Sequence, residues 1–309
     1  MKLTATSYLL ETVVQSEHKF NLHSNGDNSN NFNLPMNSPF ADLHAINDPT
    51  RFFGRKTEKQ SIFNALDAPQ PQCVAIIGDK RIGRSSLLKN IEQTYDEHLK
   101  NPSRYHFAYL DAQSDTCLTP HNFYAEVAQA FFNIREKALD PHDFNDLLSD
   151  KNPDGTTKFI LLIDEFNTLQ RRKDEFNDDF YDGLRARANG GMLTYLLASH
   201  LTLDEIAIQH EFGSTFFGIF THVTLGEFSN DEARASILRP ATPQLNSKDF
   251  GQIARLQKES YRPMANQSYH PLKLNIGANL VWQDRAKGIK PNFTDITAKY
   301  DKQVAHVFG

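Results

Sequence analysis

Through the middle of the chain, short apolar runs alternate with stretches whose apolar residues recur at helical spacing. Lys56–Leu66 carries Ile62, Phe63 and Leu66 on one helical stripe, and Cys73–Ile77 follows as a strand without a polar residue. Arg84–Tyr95 then reads as helix, Tyr105–Leu110 as strand, and "NFYAEVAQAFFNI" (122–134) as helix. Phe159–Ile163 ("FILLI") is a third strand, a helix surrounds Phe176–Arg187, and "MLTYLLA" (192–198) and "HVTL" (222–225) complete five strands. Strands this short and this apolar, separated by helices, predict an α/β fold: a mainly parallel five-stranded sheet covered on both faces.

The pattern changes after Gly226. In "SNDEARASILRP", Ser229 predicts an N-cap, Asp231 and Glu232 suit the first helical turn, and Pro240 is expected to end the helix. Residues 241–309 read as helical or irregular, with no strong strand. At the other end, 1–35 hold a short amphipathic segment around Tyr8–Val14 and then "HSNGDNSNNFNLP", too polar to fold alone and expected to be a flexible tether. The expected division is therefore a tether at 1–35, a core at 36–228 and a small helical lid or tail at 229–309.

Composition narrows the classes. Of 309 residues, 39% are hydrophobic and 23% charged, which is ordinary globular usage. A net charge of −5 argues against nucleic acid as the main partner. Cys73 and Cys117 lack metal-site spacing and fit a reducing compartment. No apolar run has the length of a membrane span and no signal peptide is visible, so the expected location is cytoplasmic.

The strongest chemical signal lies where the first strand meets a helix. "GDKRIGRSS" runs Gly78, Asp79, Lys80, Arg81, Ile82, Gly83, Arg84, Ser85, Ser86. This is the phosphate-loop layout G-x-x-x-x-G-K-[ST], with arginine in the lysine position. Glycines let the backbone curl so that its N–H groups face phosphate oxygens, and the following helix aims its positive end at the same anion. Ser85 stands where a hydroxyl ligates Mg²⁺. Arg84 keeps the positive charge but is a planar fork rather than a compact ammonium, so its geometry at a transferring phosphate differs. The bland alternative is a tight strand–helix turn that binds nothing.

"KFILLIDEFNTL" strengthens the functional reading. Five apolar residues end in Asp164 and Glu165, placing two carboxylates at the C-terminal edge of a buried strand, where open α/β sheets bind ligands. Asp164 suits the Mg²⁺ shell, and Glu165 suits orienting or deprotonating an attacking water. The alternative is an Asp-Glu pair capping the next helix. About eighty residues separate the two motifs, room for one intervening strand and two helices. At the end of the fourth strand, Ser199 or His200 is a further polar group for the γ-phosphate or water, or simple turn chemistry. "QRRKDEFNDDF" (170–180) reads as a solvated helix face, and Phe216, Phe217 and Phe220 as core packing.

Together these stretches resemble the AAA-like, STAND-type signalling ATPases of prokaryotes, relatives of archaeal and origin-recognition-like ATPases. In that resemblance "CVAIIGDKRIGRSSLL" is the Walker A region and "FILLIDEFNTL" the Walker B. Phe53, Gly54 and Arg55 fall where the chain wraps adenine, and "YHPLKLN" (269–275) is similar to the lid motif, with Pro271 in its proline position. "FYDGLRARANGGMLTYLLASH" resembles the lead into the sensor strand. The likeness covers roughly residues 37–240. It implies an ATP/ADP switch with Mg²⁺, acting through oligomerisation or a partner effector in signalling or anti-phage defence. Glu165, Asp164 and Arg84 would be its catalytic groups. Two departures stand out. Arg84 replaces the lysine, which implies weak hydrolysis. Effector domain, sensor repeats and winged helix are not visible, which suggests a bare switch subunit. The competing expectations are a non-hydrolysing scaffold and a DNA-associated ATPase of transposition or replication loading.

Overall fold

The computed structural model describes residues 38–257 and 267–309, which fall in one compact unit. The tether expected at 1–35 lies outside the described residues, as does 258–266 within the expected lid. Five strands form one parallel sheet: β1 (Val74–Gly78), β2 (Tyr105–Asp111), β3 (Lys158–Asp164), β4 (Thr194–Ser199) and β5 (Thr221–Leu225). Their spatial order is β2-β3-β4-β1-β5, so β4 is inserted between the two strands that carry the phosphate loop and the carboxylates. Register sets Ile77 beside Ser199 and Asp111 beside Asp164, bringing the chemistry-bearing strand ends to one sheet edge.

Both faces of the sheet are covered, which explains why the strands lack the polar alternation of a half-exposed sheet. Ala75, Ile77, Leu161, Ile163 and Leu197 pack toward α3 (Pro120–Phe132), α4 (Pro141–Asp150) and α5 (Asp178–Asn189). Val74, Ile76, Ile160, Leu162 and Leu196 pack toward α1 (Lys56–Leu66) and α2 (Arg84–Thr94). The α6 helix (Leu203–Gln209) follows β4 behind a Thr202–Glu205 capping box.

The remaining elements build a separate hydrophobic cluster. They are β6 (Phe228–Ser229), α7 (Asn230–Ala241), α8 (Ser247–Leu256), β7 (Ser268–Tyr269), α9 (Pro271–Ala286) and α10 (Phe293–Phe308). Phe228, Phe250, Tyr269, Trp282 and Tyr300 fill this cluster, and Phe40 from the start of the described chain joins it. Ser229 caps α7 in a reciprocal box with Glu232.

Three local expectations are corrected. Pro240 does not end α7 but sits in its last turn, before Ala241. Residues 170–180 are not a helix face. A 3₁₀ turn runs from Phe166 to Arg172, and α5 begins only at Asp178, where the Asn177 side chain accepts from the Phe180 amide. Nor is the C-terminal part wholly free of strand: β7 pairs antiparallel with β6 through Phe228–Tyr269. Phe216 and Phe217 are buried core residues. Both cysteines are free and buried. Among the described residues no helix is long and apolar enough to cross a membrane.

Candidate nucleotide site

The apolar strand β1 delivers the loop, and two glycines shape it. A Cβ on Gly78 would come within 2.9 Å of the Leu225 carbonyl and the Ile82 side chain, so the loop packs only without one. Gly83 stands at φ +106°, a backbone region that favours glycine, and serves as N-cap of α2 with no side-chain cap. The first turn of α2 therefore lacks a side-chain acceptor for its amides. Within the loop, Ile82 donates its amide to Asp79 O at 3.3 Å, whereas Lys80, Arg81 and Gly83 donate to no backbone carbonyl among the described residues. Undonated amides at an uncapped helix N-terminus form an anion cradle. Arg81, at φ 66°, and Glu165, at φ 47°, also hold left-handed conformations, as residues at binding sites often do.

One cleft of about 240 Å³ runs along this loop, under the roughly 300–1,000 Å³ of most small-molecule sites. Arg81, Ile82, Gly83, Arg84, Ser85, Ser86 and Glu165 line it from the loop and the exit of β3. Apolar lining comes from Phe52, Phe53, Phe228, Pro271 and Leu272, with Asn275. The segment Asp42–Ile46 closes the side, tied to α2 where Ser86 Oγ accepts from the Ile46 amide at 3.0 Å. Loop, leading segment and the α9 N-terminus thus face one another, although they come from distant parts of the chain.

Arg84 folds inward. Its Nη1 donates to the carbonyls of Gly78 and Asp79, the latter at 2.9 Å, and its Nη2 donates to Glu165 Oε1 at 2.8 Å. Asp164, 3% exposed, accepts from the Tyr109 hydroxyl at 2.7 Å and from the Glu165 amide at 3.0 Å. Burial, with the Asp164 carboxylate next to it, pushes the Tyr109 phenol well above its ordinary value, so it stays a proton donor. The Ser85 hydroxyl lines the cleft. Among the described residues no cluster of three His, Cys, Asp or Glu is present. A Mg²⁺ held here would rest on Asp164, Ser85, water and phosphate oxygens, a set that suits this cation.

At the end of β4 neither of the two expected polar residues lines the cleft. Ser199 is fully buried, and its hydroxyl accepts from the Leu201 amide at 3.1 Å, so it stabilises the turn. The His200 amide donates to Asn167 Oδ1 at 3.4 Å. Burial and the charges of Arg84 and Lys80 hold its imidazole below the ordinary value, partly offset by Glu165, and among the described residues its Nδ1 is buried without a partner.

The leading segment also ties the loop to the helical cluster. Arg55 is 3% exposed, donates to Ile82 O at 3.0 Å and Glu58 at 3.2 Å, and lies over the Phe228 ring. Its amide donates to Glu232 Oε1 at 2.8 Å, and Gly54 packs against the same carboxylate. Arg55 therefore brackets the phosphate loop to the helical cluster, while Phe53 lines the cleft. Sequence reasoning missed Tyr109 and the bracketing role of Glu232. The first carried no signal beyond an aromatic in a strand, the second only the capping pattern.

The inserted β4, the phosphate loop after β1 and the paired carboxylates after β3 define an AAA-type P-loop core. Residues 68–206 match the sequence model of the AAA domain family. No curated protein matches the chain. The fold is similar to the Walker-type ATPase PABY2304 of Pyrococcus abyssi, at 15% identity and a TM-score of 0.62, covering 88% of this chain and 77% of that one. It is also similar to the Aeropyrum pernix ORC2 protein in its ADPNP–ADP complexes, at 14% identity and a TM-score of 0.63, covering 85% and 70%. Domain III of the Thermotoga maritima replication initiation protein DnaA aligns at 12% identity and a TM-score of 0.52, covering 85% of this chain and 96% of that one.

Proposed function

We propose that this protein is a nucleotide-binding switch of the AAA type, with slow or conditional ATP hydrolysis. The observation that carries the reading is the convergence of the loop residues Arg81–Ser86, Glu165 at the exit of β3 and the α9 N-terminus on one cleft. Polyphosphate would lie on the amides of Lys80–Ser85, with the base toward Phe53, Phe228 and Pro271. Bound Mg²⁺ would neutralise phosphate charge and polarise the terminal phosphate. Lys80 and Arg81 add positive charge along the loop, and Glu165 is the candidate base. Because the cleft has one wall from the sheet and one from the helical cluster, nucleotide bridging the two would bias their separation. Signalling or anti-phage defence, through a second copy or a partner effector, is the role this reading assigns. The printed descriptions of the Pyrococcus protein as an ATPase and of the Aeropyrum protein as binding ADPNP and ADP support it.

Calorimetric titration with ADP and ATP, with and without Mg²⁺, tests the reading. Binding tighter than about 1 mM is expected, and no binding of either nucleotide overturns it. Arg84→Lys should raise turnover about tenfold if guanidinium geometry limits the reaction, and Glu165→Gln should lower it. A second reading, a non-hydrolysing scaffold, is favoured by the Arg84–Glu165 ion pair, which occupies the candidate base. Phosphate release that is unchanged in Glu165→Gln would select it. A DNA-associated role, suggested by the Aeropyrum ORC1 protein solved in complex with DNA, predicts salt-sensitive DNA binding, against which the net charge of −5 counts.

A further inference from the structure

The two halves of the phosphate cradle are in different conditions. Along the loop, the amides of Lys80, Arg81 and Gly83 take no backbone acceptor among the described residues, and α2 starts at Gly83 with no side-chain cap. Between the exits of β1 and β3, by contrast, the space is bridged by one side chain. Arg84 is rooted at Gly78 O and Asp79 O and reaches Glu165 Oε1 at 2.8 Å, with its side chain only 4% exposed and that of Glu165 25% exposed. A lysine's single ammonium cannot span loop carbonyls and carboxylate with a planar fork, whereas guanidinium can.

With the base toward Phe53, Phe228 and Pro271, the phosphates would run along the loop amides toward the Arg84–Glu165 bridge, whose two residues line the same cleft. Two phosphates can be taken by the amides with the bridge intact. A third must open it: the guanidinium gives up Glu165, and that carboxylate is left beside an incoming anion, which is unfavourable. Burial and the charge of Arg84 hold the His200 imidazole below its ordinary value, which disfavours a compensating cation there.

We propose that the Arg84–Glu165 pair is a latch that makes this a nucleoside-diphosphate site at rest, admitting a third phosphate only when the pair opens. The inference rests on the nucleotide reading above and specifies its ligand. It also gives the Arg84 substitution a positive role: the arginine holds the diphosphate state and keeps the candidate base engaged, so hydrolysis waits on whatever opens the pair.

The test is titration of the full chain with ADP and with the non-hydrolysable triphosphate analogue ADPNP, in Mg²⁺, for the unaltered protein, Glu165→Gln and Arg84→Lys. Unaltered protein should bind ADP at least about tenfold tighter than ADPNP. Glu165→Gln keeps the shape and removes the charge that grips the guanidinium. It should narrow the gap at least about threefold, chiefly by tightening ADPNP. Arg84→Lys should narrow it in the same direction, and it serves if the glutamine variant fails to fold. Equal or tighter ADPNP binding by the unaltered protein overturns the latch while leaving the nucleotide reading intact, and so does a gap that neither variant narrows. Failure to bind either nucleotide overturns both.

Discussion

The two walls of the cleft are built by different rules. On the sheet side, β1 and β3 bury almost every residue, and parallel register fixes where each strand ends. On the helical side, α9 buries Leu274, Ile276, Gly277, Ala278, Leu280, Val281 and Trp282, which spread around the helix rather than along one stripe. It achieves this only because α7, α8 and α10 surround it, with Leu256 and Ile253 close against Gly277. The first wall is held by a five-stranded ladder of backbone hydrogen bonds, the second mainly by side-chain packing, with the short β6–β7 pairing and the Arg285–Asp249 ion pair at 2.7 Å. Between them run specific polar links: the Arg55 amide to Glu232, and His270 set beside the loop at Lys80. The difference teaches that, on the proposed nucleotide reading, the sheet wall would position the loop and the carboxylates, while the packed wall, joined to it by few polar links, would be the one to respond to ligand.

The comparison can be broken most severely inside the sheet wall. Leu162→Ala, at a fully buried position in β3, should cost about 2–5 kcal/mol, read as a lowered urea midpoint. A loss well under this range would mean the sheet is less tightly packed than its burial indicates. At the junction, Arg55→Ala strips Ile82 O and Glu58 of a donor and removes a cation from the Phe228 face. The expected cost is about 2 kcal/mol by the same measurement, together with weakened ADP binding because the loop loses its bracket. Unchanged ADP affinity in a folded Arg55→Ala protein would show that the loop holds its shape unaided.

The smallest effect sharpens the link from the helical side. Burial, reinforced by the charge of Lys273, holds His270 below its ordinary value, with Glu227, the Lys80 carbonyl and Asp79 pulling the other way. A histidine with a depressed folded-state value stays neutral while the unfolded chain takes up a proton. Its contribution is therefore intact above about pH 6.5 and is lost as pH falls below that. Replacing it by asparagine should flatten the decline in melting temperature between about pH 6.5 and 5 by less than about 1 kcal/mol equivalent. A decline as steep in His270→Asn would assign the acid sensitivity to other histidines, such as His106 and His200, whose values burial also depresses.

Most of the sheet was legible in the chain. Lys56–Leu66 forms the helix its spacing predicts, and the five strands fall within a residue or two of the expected limits. Local apolar runs and glycine spacing carry that information because they act between near neighbours. The segment after β3 was misread as helix because its mixed charges suit a solvated helix face, whereas the Asn177 cap delays α5 until Asp178.

By itself, then, the sequence determined that a glycine-shaped loop follows one buried strand and that two carboxylates close another, since both depend on residues adjacent in the chain. Tertiary structure decided what those groups do to each other. It turned Arg84 onto Glu165, gave Asp164 to Tyr109, set Arg55 against Glu232 across 177 positions, and turned the Ser199 hydroxyl into its own turn. Each of these choices depends on strand register and on the packing of separate clusters. Such distances are fixed only when remote segments meet, and no local pattern of polar and apolar residues encodes them.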